Sequence, residues 1–165
     1  MNIYYTEVKM KFNYLLFIGL IILTLSSGCK KKCDFGQDIL SGDIKLDITA
    51  YPGSGYLTAN TPGNYLITAD HQYADRFKIS RDYGVTKEDV NYSEFSILSF
   101  PLSVSCYATF DRNVVIDDIN GIIRYTINVK ECGKCDEKRY VENYVVIRSV
   151  PSTYQVIYVP NIETY

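Results

Sequence analysis

The chain is expected to fold as an all-β domain, an antiparallel two-sheet sandwich, and three features of its sequence point there. Short apolar–polar alternations recur through residues 43–165, and clusters of glycine, proline and asparagine punctuate them. No stretch of that region has the 3.6-residue apolar spacing of a convincing helix. Parallel strands need long crossovers, so their absence makes the pairing mostly antiparallel. An immunoglobulin-like arrangement is one form such a sandwich takes, and a small barrel is the alternative.

The elements follow in order. Asp43–Ala50 alternates over eight positions and reads as a half-buried strand with Ile44, Leu46, Ile48 and Ala50 inward. Pro52-Gly53-Ser54-Gly55 ends it. Tyr56–Ala59 is a short strand, and Thr61-Pro62-Gly63-Asn64 places Pro and Gly as a type II turn requires. Asn64–Ala69 and Arg76–Ser80 are further strands. Residues 81–95 are the least strand-like part. Thr86 and Asp89 have the spacing of one capped helical turn, but the apolar residues of a helix are missing. This segment reads as a long loop and is the first place to look for function. From Leu102 the alternation resumes, with Leu102, Val104, Cys106, Ala108 and Phe110 on one face. Val114–Ile119, Asn120-Gly121 and Ile122–Val129 form a hairpin signal, because Asn-Gly suits the positive-φ positions of a type I′ turn. Tyr140–Arg148 and Thr153–Val159, separated by Val150-Pro151-Ser152, bring the count to eight to ten strands. There is no internal repeat.

Ahead of this domain, residues 14–25 form an uncharged apolar run, shorter than the ~20 residues a membrane-spanning helix needs. Lys9 and Lys11 precede it, and Leu25-Ser26-Ser27-Gly28 leads directly into Cys29. This order of signals resembles the lipobox signal peptide of bacterial lipoproteins, over about residues 10–30. One departure is that Leu25 stands four residues before the cysteine, with Ser26 in the usual apolar place. The resemblance implies that the Cys29 thiol receives a diacylglyceryl group, that the chain is cut before it, and that its new amine is acylated with a palmitate-type chain. The implied organisation is a signal peptide over 1–28, a lipidated tether over 29–42 and the sandwich domain over 43–165. The alternative is an uncleaved anchor, or an ordinary signal with Cys29 as a disulfide partner. Met10-Lys11 would begin a conventional signal, so translation is expected to start at Met10.

A membrane is therefore the first expected partner, held through lipid on Cys29, since two or more buried acyl chains give stable attachment. Lys30, Lys31 and Lys32 either lie at the headgroup plane or form a solvated linker. Lys30, rather than Asp, follows the cysteine. By analogy with the sorting rule of enterobacteria-type lipoproteins, this favours the outer membrane of the cell envelope.

Composition bounds the rest. The 165 residues are 47% hydrophobic and 22% charged, the balance of a globular protein. Net charge is −2, and removing Lys9, Lys11 and Glu7 with the signal makes it −3. That excludes the basic footprint of nucleic-acid binding. There are 16 tyrosines and no tryptophan. Tyrosine suits half-buried strands, and it also makes contact surfaces for glycans or protein partners.

Cys33, Cys106, Cys132 and Cys135 would meet an oxidising compartment and are candidates for up to two disulfides, with three connectivities open. Cys132-Gly133-Lys134-Cys135 sits at the tip of an expected hairpin and reads first as a structural staple. A redox pair would want a helix start in a βαβ unit, and a zinc site would want a second ligand pair. Cys33, Cys106 and the single His71 are too scattered in sequence to supply one. One histidine leaves little room for imidazole-based hydrolysis, and no nucleophile elbow, phosphate loop or His-Glu-x-x-His occurs. Asp117-Asp118 and Glu88-Asp89 are adjacent acidic pairs, but neighbours on a strand point to opposite faces. Asp117–Gly121 superficially resembles a calcium loop and fails because Ile116 occupies the first ligand position. No cofactor and no metal are expected. The first functional expectation is a non-enzymatic binding module at an envelope surface. The second is an assembly subunit of an envelope complex, and the third a carboxylate-dependent hydrolase.

Overall fold

The computed structural model describes residues 36–53, 63–105, 107–132 and 138–165. The signal segment, Cys29, Cys33, Cys106, Cys135 and the expected strand at 56–59 lie outside these residues. The described residues are all-β, and a single 3-10 turn at Ala74–Arg76 is the sole helical element among them.

Its largest sheet is built on one hairpin. β8 (Tyr107–Asp117) and β9 (Ile122–Cys132) pair antiparallel along their whole length, from Tyr107↔Cys132 to Asp117↔Ile122. Two outer strands flank them, and each runs parallel to its neighbour. β1 (Ile39–Gly42) lies on β8 and β12 (Gln155–Thr164) on β9, giving the order β1-β8-β9-β12. Phe110, Val114, Ile123, Tyr125, Ile127 and Val129 alternate onto the buried face, as period-2 side chains must.

That face packs on a second sheet, of order β11-β6-β3, made of β3 (Tyr65–Ile67), β6 (Phe95–Ser99) and β11 (Tyr144–Arg148). Leu98, Val145 and Ile147 point into this first core together with Phe100. The ribbon of β7 (Leu102–Val104) and β10 (Arg139–Val141) adds Leu102 and Val104 to it. The sandwich then carries a further layer. β2 (Thr49–Pro52), β4 (Phe77–Ser80) and β5 (Glu88–Asp89) form a third sheet. Its Ala50, Phe77 and Ile79 close a second core with Ile67, Phe95, Ile97 and Val146 from the opposite side chains of the middle sheet.

The second core explains the main strand missed in sequence. β6 reads Phe-Ser-Ile-Leu-Ser and all five residues are buried, because it is covered on both faces. A strand buried on both sides shows no alternation to detect. Asp43–Ala50 errs the other way. It is not one strand: Ile44 makes an isolated bridge to Ile147, and a turn follows in which the Ile48 N–H meets the Lys45 carbonyl at 3.4 Å. Ile44, Ile48 and Ala50 are buried as expected, but Leu46 faces solvent. The chain joins the fold before residue 43, since Ile39–Gly42 is already paired. Gly42 must be glycine there, with φ +73 and only 2.1 Å between a would-be Cβ and the Val114 carbonyl oxygen.

Two long alternating stretches are also divided. Leu102–Phe110 breaks after Val104, where the Ser105 N–H donates to the Glu131 carboxylate at 2.8 Å. Tyr140–Arg148 breaks at Asn143, a buried side chain whose Nδ2 donates to the Phe100 carbonyl at 3.1 Å. Asn143 Oδ1 in turn accepts from Arg112 Nε at 2.9 Å, and Arg112 reaches Asp38 at 3.0 Å. A polar relay thus ties the incoming chain through the first sheet to the second.

Tyr125 carries a stability prediction. Its ring lies edge-on to Phe100, 5.6 Å between centroids, and its buried hydroxyl has no hydrogen-bond partner among the described residues. Burial pushes the phenol well above its ordinary pKa. A desolvated hydroxyl without a partner costs about 1–3 kcal/mol. Tyr125→Phe is therefore expected to raise the denaturant midpoint, by about 1 kcal/mol in unfolding free energy. A loss of similar size would show that the hydroxyl is satisfied.

Candidate functional site

The strands give the domain two unlike ends. At the base, the described chain comes in at Gly36–Asp38 and β12 ends at Thr164 opposite Glu131. β1 starts opposite Asp111 and runs toward Asp117, so six residues of β8, about 20 Å, separate this inlet from the hairpin turn. That turn marks the other end, the crown.

Three loops meet at the crown through a continuous set of contacts. The Arg81 guanidinium lies over the Phe95 ring at 5.5 Å, Phe95 pairs with Arg148, and Arg148 binds the Asp118 carboxylate of the hairpin turn. The Lys45 N–H donates to the Val146 carbonyl at 2.8 Å, and Thr49 pairs with Ser80, which brings the 45–48 turn alongside. Each loop carries an apolar tip in solvent. Leu46 is 68% exposed, Tyr83 97%, Val85 86% and Ile119 95%. Single exposed apolar residues are ordinary, but here four stand on the loops of the same end of the domain.

The loops are held, not loose. In the 81–87 loop the buried Ser80 hydroxyl donates to Asp82 Oδ1 at 2.7 Å and accepts the Gly84 N–H at 2.8 Å. Asp82 Oδ1 also accepts the Thr86 N–H at 2.8 Å. This clasp forces Tyr83 to φ +57, the left-handed region that non-glycine residues seldom occupy. Gly84 follows at φ +91 against the Tyr51 ring, and Lys87 caps that ring at 4.5 Å. In the hairpin turn Asp117 Oδ1 accepts the Ile119 and Asn120 N–H groups, both at 3.1 Å, and Asp118 accepts the Tyr154 hydroxyl at 3.0 Å. These bonds hold both carboxyls below their ordinary pKa, the largest cause being the Asn120 side chain for Asp117 and Arg148 for Asp118.

The turn also departs from the expected type. Asp117 pairs with Ile122, so the loop has four residues, with Gly121 at φ +64, and Tyr83 is the sole non-glycine residue with positive φ among those described. A type I′ turn would have needed Asn120 there as well. The Asp117 side chain, by binding two successive N–H groups, favours the longer loop.

Other candidates resolve differently. His71 sits in a ring cluster with Tyr65 and Tyr73 at 5.2 and 5.5 Å, and its Nδ1 accepts the Tyr73 N–H at 3.2 Å. Burial lowers its pKa, which favours the neutral imidazole. Glu88 and Asp89 are drawn into ion pairs with Arg81 and Lys78. The 81–95 segment is a loop as expected apart from β5 and Phe95, the first residue of β6. No turn forms over Thr86–Asp89, where the Thr86 N–H is taken by Asp82. The segment's one helical turn lies later, where the Asn91 carbonyl accepts the Glu94 and Phe95 N–H groups, both at 3.0 Å. Cys132 is buried at the end of β9. On the outer face of the first sheet, Thr109, Asp111, Asn128 and Lys130 line a hollow of about 80 Å³. Ligand pockets usually run to roughly 300–1,000 Å³, so this is a surface dimple. Among the described residues no group of three or more His, Cys, Asp or Glu is placed to hold a metal.

Comparison with known proteins finds no family model, no curated protein and no solved structure that matches the chain. The crown must therefore be read from its own chemistry.

Sequence reasoning singled out the 81–95 loop but not its apolar partners. Leu46 looks like a strand residue because of its alternating neighbours, and Ile119 looks like the end of a strand. The legible signal was Ser80-x-Asp82, a pair that commonly binds nearby backbone N–H groups.

Asp82 supplies a pH test. The Ser80 hydroxyl and then the Thr86 N–H hold its carboxyl down to about 2. A carboxyl depressed in the folded state stabilises above its unfolded pKa, and that contribution is lost as pH falls through the folded value. NMR is expected to show the Asp82 carboxyl titrating near 2, with the Thr86 amide moving in parallel. A midpoint near the ordinary 3.8 would mean the clasp is not formed in solution.

Proposed function

We propose that the protein is an exported, lipid-anchored and non-enzymatic binding module, presenting the crown loops to a glycan or protein partner away from the membrane. The observation that carries this reading is Tyr83: a nearly fully exposed aromatic ring on a loop fixed by four hydrogen-bonding groups and held in an unfavourable backbone conformation. Backbone strain of this kind costs of order 1–3 kcal/mol, and such sites cluster where a ligand is met. A rigid aromatic tip loses little entropy on contact, the property that makes tyrosine common at binding surfaces. Asp47, Asp82, Glu88, Asp117 and Asp118 stand at this end with Lys45, Arg81, Lys87 and Arg148, so it carries no basic excess for a polyanion such as nucleic acid.

The anchor half of the proposal rests on the order of residues before Cys29 and fits the direction of the chain. Both β1 and β12 place their base ends away from Tyr83 and Ile119, so a tether on the base leaves the crown free. Attachment to the outer membrane is part of the same reading. In an oxidising compartment Cys132 closes a disulfide with Cys33, Cys106 or Cys135. Its burial opposite Tyr107, next in sequence to Cys106, supports this. The rival role as an assembly subunit would draw on the long outer strand β12, but Pro160 leaves a backbone donor missing from that strand.

Photo-cross-linking in intact cells tests the binding site. A benzophenone side chain at position 83 or 119 is expected to give a discrete adduct, and one at position 157, on the outer face of the first sheet, none. Adducts from 157 alone, or none from 83 and 119, would overturn the crown as the site. Mass spectrometry of the same protein should find acylated Cys29 as its first residue. A chain retaining residues 14–25 would remove the anchor.

A further inference from the structure

The outer strand β12 supports an inference independent of the crown. β12 is the last strand of the first sheet and ten residues long, and among the described residues no strand pairs with its outer side. An edge of that length is a template for adding another strand. Hydrogen bonds fix which residues face which way. The Gln155 N–H donates to the Gly121 carbonyl at 2.9 Å, and the Tyr165 N–H donates to the Glu131 carbonyl at 3.0 Å. In a parallel pair alternate residues turn both backbone groups to the neighbour. The odd-numbered residues of β12 therefore face β9, and the even-numbered ones turn their backbone groups outward.

Residue 160 is even, and it is proline. Its missing N–H takes nothing from the β9–β12 ladder, which continues unbroken from Gln155↔Ile122 to Thr164↔Glu131. The donor is missing only from the outer edge, and at its centre. An antiparallel pairing of two copies about a two-fold axis through residue 160 would set Val156 of one copy against Thr164 of the other, and residue 160 against itself. Two-fold symmetry is the commonest symmetry among homo-oligomers. In this register the axis meets two proline rings and finds no N–H on either side.

We propose that Pro160 is an edge guard, whose place at an outward-facing position prevents a second copy of this chain from adding to β12 while leaving the domain's own sheet intact. The occupant that it excludes is a second β12, in the two-fold register centred on residue 160. The same residue at 159 or 161 would have cost a ladder bond to β9; at 160 it does not.

The test is native mass spectrometry of the full-length protein released from detergent, comparing the natural chain with Pro160→Val and Pro160→Gly. Both variants restore the outward N–H, and glycine does so without adding a branched side chain. The natural chain is expected to be a monomer, and Pro160→Val to show about tenfold or more dimer at the same concentration, two hydrogen-bond donors having been returned. Adding Ile162→Pro to Pro160→Val removes the next outward donor and should restore the monomer. Protection of the Ile162 amide from exchange should appear only in the dimer. The proposal is overturned if Pro160→Val and Pro160→Gly both stay monomeric with unchanged circular dichroism. A natural chain already dimeric with a protected Ile162 amide would overturn it equally. Should the valine variant fail to fold, the glycine variant decides alone.

Discussion

The ladder between β8 and β9 is the constraint on which the rest of the structure depends. Its eleven consecutive pairs, from Tyr107↔Cys132 to Asp117↔Ile122, fix the register of one sheet in a single local event. Side chains alternate with a period of two, so a slip of one residue would turn Val114, Ile123, Tyr125 and Ile127 out of the core. The turn prevents such a slip. Asp117 binds two backbone N–H groups beyond it, and Gly121 supplies the positive φ that closes the loop. Contacts across this hairpin are local in sequence, whereas β1 and β12 must return from far along the chain to lie parallel on either side. Hairpin first and outer strands later is the order that loop-closure entropy favours.

From that ladder follows the polarity of the domain. β1 lies parallel to β8, so the chain comes in at the base and moves toward the hairpin turn; β12 lies parallel to β9 and returns to the base. The polar relay Asp38–Arg112–Asn143 secures the inlet and crosses to the second sheet. Glu131, accepting from the Ser105 N–H and the Thr164 hydroxyl, secures the point where β8 begins and β12 ends. The hairpin turn of the crown then lies at the end of β8 and β9 opposite the Glu131 tie. Charged and hydroxyl side chains shape those loops, and apolar side chains crown them, the reverse of a core.

How much of this was legible in the sequence depended on whether burial was one-sided. The hairpin was visible because one face of β8 and β9 meets solvent and leaves a period of two. β6 was invisible because cores on both faces remove that period, and its Phe-Ser-Ile-Leu-Ser reads as an unremarkable apolar run. Asp43–Ala50 had the right period and the wrong meaning: the bridge at Ile44 and the turn after it carry Leu46 to the surface, while Ile48 and Ala50 return to the second core. Parallel pairing of β1 and β12 could not be read, since partner and direction are set by tertiary packing. Of the site, the 81–95 loop stood out by its lack of periodicity. The convergence of Leu46, Tyr83, Val85 and Ile119 needed the register of three sheets.

We propose that one end of this domain carries the tether and the opposite end meets a partner. Paramagnetic broadening of backbone amides, with the acylated protein on vesicles doped with a gadolinium-chelating lipid, measures that polarity directly. The account requires broadening to be strongest at Tyr107, Glu131 and Thr164 and to fade along β8 and β9 toward Ile119 and Tyr83. Strongest broadening at Ile119 and Tyr83 would place the crown against the lipid and contradict it.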